Sequence, residues 1–124
     1  MATRTRTGTD AHEKAVQQGF ADIVRVLQEN IGPNLTAYIA GKSTQTVNRW
    51  AKEDQSPPGD DIEKRMRAAY QIYRTITEVN SNHVARAWFM GMNPQLEDMS
   101  PAEVLLDDRL RDAMSAARAF RSGG

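Results

Sequence analysis

The chain has 124 residues, with 16 basic and 16 acidic side chains and no cysteine. That length fits one domain, or a small domain with an appendage, and the missing thiol excludes disulfides, cysteine nucleophiles and Cys-based zinc sites. A net charge of zero excludes a strongly basic nucleic-acid coat, so any DNA binding must rest on a local patch.

His12 and His83 are the only histidines and lie far apart, which argues against a histidine metal site. No apolar run approaches the roughly 18 residues of a membrane span, and MATRTRTGTD lacks the apolar stretch of a signal peptide. The expectation is a cytoplasmic, non-membrane protein without metal or cofactor.

In chain order, residues 1–10 read as a flexible arm in which Arg4 and Arg6 are candidates for minor-groove contact. Residues 11–30 carry Ala15, Phe20, Ile23, Val24 and Leu27 at the spacing of one helical face, with Asp10 as the expected N-cap. Gly32-Pro33 stops that helix, and Asn34 is placed to cap a second over about 35–40. Gly41 supplies a left-handed residue at its end, and Ser43 caps a third helix over about 44–53. DQSPPGDD reads as a loop. A long helix from Asp60 or Asp61 to about Val79 bears the stripe Ile62, Met66, Ala69, Tyr70, Tyr73 and Ile76, and Asn80-Ser81-Asn82 ends it. Residues 83–90 form a short helix closed by Gly91. After a turn at Asn93-Pro94, Ser100, Pro101 and Glu103 spell a helix start with a capping box. The last helix, about 108–121, shows Leu110, Ala113, Met114, Ala117 and Phe120 on one face, and the acids of 107–112 read as its solvated start. No stretch alternates as a strand would. The predicted fold is all-α, a helix-turn-helix bundle over 11–79 followed by a small helical interaction domain over 80–124.

Residues 35–50, LTAYIAGKSTQTVNRW, carry the strongest signal. A helix-turn-helix needs a small residue where its two helices cross (Ala37), a turn residue tolerating positive φ (Gly41), and core anchors one turn apart on the second helix (Val47 and Trp50). The rest of that helix then faces the major groove. Gln45 suits adenine, Arg49 guanine or a phosphate, and the Thr46 methyl a thymine. Lys42, Ser43, Thr44, Gln45, Thr46, Asn48, Arg49 and Lys52 are the candidate DNA-binding residues, in a stretch that holds three basic residues and no acid. A single short recognition helix covers little DNA, so a homodimer on an inverted-repeat operator is expected.

This segment resembles the helix-turn-helix of Xre/Cro regulators, with Pro57 and Pro58 following the unit. Residues 85–121 carry a second resemblance. Trp88, Asn93-Pro94, Leu96, Ser100-Pro101, Val104-Leu105 and an Ala-rich helix ending in Phe120 are similar to the C-terminal domain of Xre/MbcA/ParS-type antitoxins. The resemblance implies a dimer that blocks a RES-domain, NAD-consuming toxin through this domain and represses its own operon. It carries the partner-binding role to Trp88, Asn93, Pro94, Ser100, Pro101, Phe120 and Arg121. Where the family often has a glycine-acid pair before the last helix, this chain has Leu106-Asp107-Asp108.

Simpler readings stand beside these. Trp88 and Phe89 also suit a core, and Ser100 to Glu103 is explained by capping alone. An enzyme is not expected, because no thiol, paired histidines or Gly-rich phosphate loop is present. Two functions remain: a dimeric DNA-binding transcription regulator, or the antitoxin of a toxin-antitoxin pair.

Overall fold

The computed structural model describes residues 19–52 and 58–123. Among them the chain is all-helical, with no strand. Helix α1 (residues 19–31) is followed by α2 (Pro33–Ala40), α3 (Thr44–Trp50), α4 (Asp60–Thr77), α5 (Asn82–Met90), a single 3-10 turn (Pro94–Leu96), α6 (Pro101–Leu106) and α7 (Leu110–Arg121). The arm with Arg4 and Arg6, the Asp10 cap, Ala15 and Pro57 lie outside the described residues.

Local chemistry sets most boundaries. Phe20, Val24, Leu27 and Ile31, spaced four, three and four apart, are all buried on one face of α1. Gly32 (φ 98°) turns the chain, and Pro33 opens α2 at its first position. Asn34 is therefore not the cap expected of it: the pre-set φ of proline starts the helix one residue earlier. The Gly32 carbonyl instead accepts from both the Thr36 N–H (3.1 Å) and the buried Thr36 hydroxyl (2.7 Å).

Three other expectations are corrected. Helix α3 ends at Trp50 rather than near 53, with the Lys52 N–H already closing a turn on the Arg49 carbonyl. Helix α4 opens at Asp60 as expected, behind Gly59 as N-cap with no side-chain cap, but ends at Thr77 rather than near Val79, and Asp60 and Asp61 sit inside its first turn. There they favour the positive end of the helix dipole rather than cap it. Asn82 begins α5, and the Ser81 hydroxyl accepts from the Val84 N–H at 3.2 Å. The capping box of α6 forms in full: Ser100 Oγ accepts from the Glu103 N–H, and Glu103 Oε1 from the Ser100 N–H, both at 3.1 Å.

Nor do the acids at 107 and 108 start the last helix. Asp107 is the C-cap of α6 and Asp108 adopts φ 60°, so α7 begins only at Leu110. Arg109 ties this corner together, donating to Asp112 Oδ2 (3.0 Å) and Glu97 Oε1 (3.2 Å). The hydrogen bond to Asp112, reinforced by that to Glu97, raises the Arg109 pKa above its ordinary value.

One hydrophobic core runs through α1 to α7. Val24, Leu27, Ile39, Val47, Met66, Ile72, Phe89, Val104, Leu105 and Ala113 are all buried in it. Helix α7 packs along α4, and α2 meets α3, α4 and α6. The small buried residues Ala113, Ala116 and Ala117 let α7 approach closely. A polar chain stitches three helices at one end: the Tyr73 hydroxyl donates to Asn82 Oδ1 (2.6 Å), Asn82 Nδ2 to Asn30 Oδ1 (2.6 Å), and Asn30 Nδ2 to the Val26 carbonyl (2.7 Å). Among the described residues no helix is long and apolar enough to cross a membrane, and no group of three metal-ligating side chains occurs.

Candidate functional site

The α2–α3 unit has the geometry its sequence implies. Ala37 is buried at the crossing. Gly41 (φ 69°, ψ 30°) ends α2 in a Schellman arrangement: its N–H donates to the Tyr38 carbonyl (3.0 Å) and the Lys42 N–H to the Ala37 carbonyl (3.1 Å). A Cβ at Gly41 would meet Leu106 Cδ1 at 3.0 Å, so that half-buried side chain would have to give by a few tenths of an ångström, and the φ is the firmer reason for glycine. Ser43 Oγ accepts from the Thr46 N–H at 3.1 Å and starts α3. Val47 and Trp50 are buried, and the Trp50 ring lies 6.0 Å from that of Phe20 on α1.

What α3 leaves outward is polar. Lys42, Ser43, Gln45, Asn48, Arg49 and Lys52 are exposed, whereas Thr44 and Thr46 are half-buried. Arg49 Nη2 donates to Thr46 Oγ1 at 3.3 Å, which holds the guanidinium against the helix. Sequence reasoning missed the part of α1 in this surface. Arg25 donates to the Ala51 carbonyl at the end of α3 and pairs with Asp22, and Gln28 Nε2 donates to Asn48 Oδ1 at 2.7 Å. On the sequence these two residues look like an ordinary solvated edge of α1; only the crossing of α1 and α3 gives them a role.

The C-terminal candidates separate into two places. Trp88, Asn93, Pro94 and Phe120 come together around a hollow of about 330 Å³, joined by Met92, Gln95 and Ala116. A neighbouring hollow shares Trp88, Met92, Asn93 and Phe120 and extends along α5 to His83. Trp88 satisfies both readings of it. It is 9 % exposed and packs edge-on against Phe89, 5.5 Å between centroids at 76°. Its outer side meets the half-open Phe120 ring at 6.2 Å and forms the floor of the hollow. Its Nε1–H is buried with no acceptor among the described residues. Asn93 Oδ1 accepts from the Gln95 N–H at 2.9 Å and shapes the rim. Met92, the most exposed large apolar side chain described at 78 %, was not singled out from the sequence; its place before Asn93-Pro94 is the signal that marks it.

Ser100 and Pro101 lie elsewhere. Both are buried, and Ser100 contributes to a different hollow, with Tyr38, Arg86 and Met90. Arg121 is on the surface beyond Phe120, its Nη2 donating to Glu78 Oε2 at 2.8 Å.

No protein-family model matches the chain, and no curated protein matches it. Among solved structures, a chain of the crystal structure of the M. tuberculosis MbcT-MbcA toxin-antitoxin complex is similar to it, with 23 % identity and a TM-score of 0.68. The alignment covers 83 % of this chain and 94 % of that one, so it extends over most of both. At that identity the likeness is one of fold: this chain shares the all-helical architecture of a component of that complex.

Proposed function

We propose that this chain is an antitoxin-type protein that binds a toxin through the face made by α5, the 3-10 turn and α7. The observation that carries the reading is the fold likeness to a chain of a toxin-antitoxin complex, which extends over both halves of the molecule. The surface around Trp88 supports it. Met92 and Phe120 are exposed there at 78 % and 37 %, beside the polar rim of Asn93, and such an apolar patch with polar edges suits a protein partner. The partner proposed from the sequence resemblance is a RES-type enzyme.

Co-expression with the product of the neighbouring reading frame tests this. A stable complex is expected that weakens at least about tenfold when Met92→Ala and Phe120→Ala are combined, the loss of two apolar anchors. Failure of wild type to bind, or equal binding by the double variant, overturns the assignment. Point changes are preferable to removal of residues 100–124, because α6 and α7 hold core residues.

A second reading is favoured by the α2–α3 geometry: the same protein binds duplex DNA, with residues 11–79 as reader and 80–124 as partner-binding part. It rests on the acid-free exposed set Lys42, Gln45, Asn48, Arg49 and Lys52. An α3 of seven residues covers little DNA, so a homodimer on an inverted repeat accompanies the proposal. Binding to the DNA upstream of its own gene, measured across salt concentrations, is expected to weaken with Arg49→Ala and Gln45→Ala. If neither changes affinity or sequence preference, α3 is not the reader.

A further inference from the structure

We infer that Gln28 and Asn48 act as one reading unit, presenting a donor and an acceptor side by side to an adenine in the major groove; this rests on the DNA-reading role of α3 proposed above. Gln28 is half-buried on α1 and Asn48 is exposed on α3, and Gln28 Nε2 donates to Asn48 Oδ1 at 2.7 Å. A carboxamide carries one carbonyl and one NH₂. The bond takes one hydrogen of the Gln28 NH₂ and one lone pair of the Asn48 carbonyl, so the ends it leaves wholly unengaged are the Asn48 NH₂ and the Gln28 Oε1.

Adenine offers an acceptor, N7, beside a donor, N6–H₂, and answers both groups. Guanine offers two acceptors, thymine an acceptor and a methyl, and cytosine a donor alone, so each leaves one member of the pair unmet. The position of the pair suits this task. Asn48 follows Gln45 by three residues on the exposed side of α3 and precedes Arg49. Three residues before Gln28, Arg25 donates to the Ala51 carbonyl, so α1 is anchored to the end of α3 beside the pair. Both amides are held before DNA arrives, which lowers the ordering cost of the contact. Gln28 is thus a positioning residue that sets the hydrogen-bond polarity of Asn48 and adds an acceptor of its own.

The discriminating variant is Gln28→Glu. A carboxylate only accepts, so Asn48 must turn its amide to donate to it, and the ends left wholly unengaged are then two acceptors, the Asn48 Oδ1 and a carboxylate oxygen. The site preferred by wild type is first enriched from a random duplex pool. Wild type, Gln28→Glu, Gln28→Ala and Asn48→Ala, each checked for an unchanged melting transition, are then measured on duplexes carrying every base at every position. At one position wild type is expected to prefer adenine, Gln28→Glu to shift at least about fivefold toward cytosine, and the two alanine variants to flatten the preference. A fold defect would weaken all duplexes alike and would not change that ranking. A wild-type preference retained in full by Gln28→Glu overturns the inference while leaving α3 as reader. Absence of any sequence preference in wild type overturns both, and shows it in wild type itself.

Discussion

Asp108, held at a backbone φ of 60°, receives two N–H groups from Arg65, Nε on Oδ1 at 2.9 Å and Nη2 on Oδ2 at 3.2 Å. The third arm of the same guanidinium, Nη1, donates to the carbonyls of Ile39 (3.2 Å) and Ala40 (3.0 Å) at the end of α2. Arg65 is 8 % exposed, so one buried cation joins the turn of the helix-turn-helix to the corner between α6 and α7. It also satisfies α2 carbonyls at the negative end of that helix.

Removing Arg65 should therefore be costly. Arg65→Ala is expected to lower stability by about 3 kcal/mol, since it strips the α2 carbonyls of a charged donor and leaves a void. The side chain of Asp108 is 47 % exposed, so solvent weakens its half of the pair. Asp108→Ala should cost only about 1–2 kcal/mol, and Asp108→Gly less than Ala because it relieves the left-handed backbone. Urea midpoints of the three variants check the order.

Gly41→Ala tests whether the turn needs glycine for φ or for space. The left-handed backbone alone costs about 1–2 kcal/mol, and contact with Leu106 adds to it. Gly41→Ala combined with Leu106→Ala should recover the steric part and leave the backbone part. A double-mutant cycle with no coupling between the two would show that Leu106 does not limit the site.

At Trp88 the ring and its N–H separate. Trp88→Ala is expected to cost about 3–5 kcal/mol through loss of a large buried ring. Trp88→Phe should cost clearly less, because the Nε1–H that it deletes has no acceptor among the described residues. Thermal melts of the two variants decide; equal losses would mean that the N–H is engaged.

Capping makes a set of contrasting predictions. Ser43→Ala and Ser100→Ala should each lose about 1 kcal/mol, since each hydroxyl accepts the N–H three residues on. Asn34→Ala should stay within about 0.5 kcal/mol, its side chain being exposed and not a cap. Chemical denaturation of the three side by side measures this.

These contrasts also mark what was legible in the sequence. Ser43, Gly41 and the Ser100–Glu103 box announced themselves because their chemistry closes within a few residues. Asn34 misled because two start signals overlapped, and the proline beside it opened the helix. The acid at 108 misled because its partner, Arg65, lies 43 positions away in sequence. Composition could not reveal that pairing. At the candidate partner face, resemblance supplied Trp88, Asn93, Pro94 and Phe120 as one set, and the packing of α7 on the 3-10 turn, with Phe120 against Trp88, gathers them. Ser100 and Pro101 came with the same motif, yet the start of α6 turns them inward. Gln28 stayed hidden because helical periodicity describes one helix at a time, and its partner is on another.

The two tryptophans of the chain fall one beneath each surface of interest. Trp50 lies under α3 against Phe20, and Trp88 floors the hollow beside Phe120. The molecule thus contains two tryptophan fluorophores in distinct surroundings. With one replaced by phenylalanine, emission from the other tests the proposed DNA surface or the proposed partner face separately, without any added label.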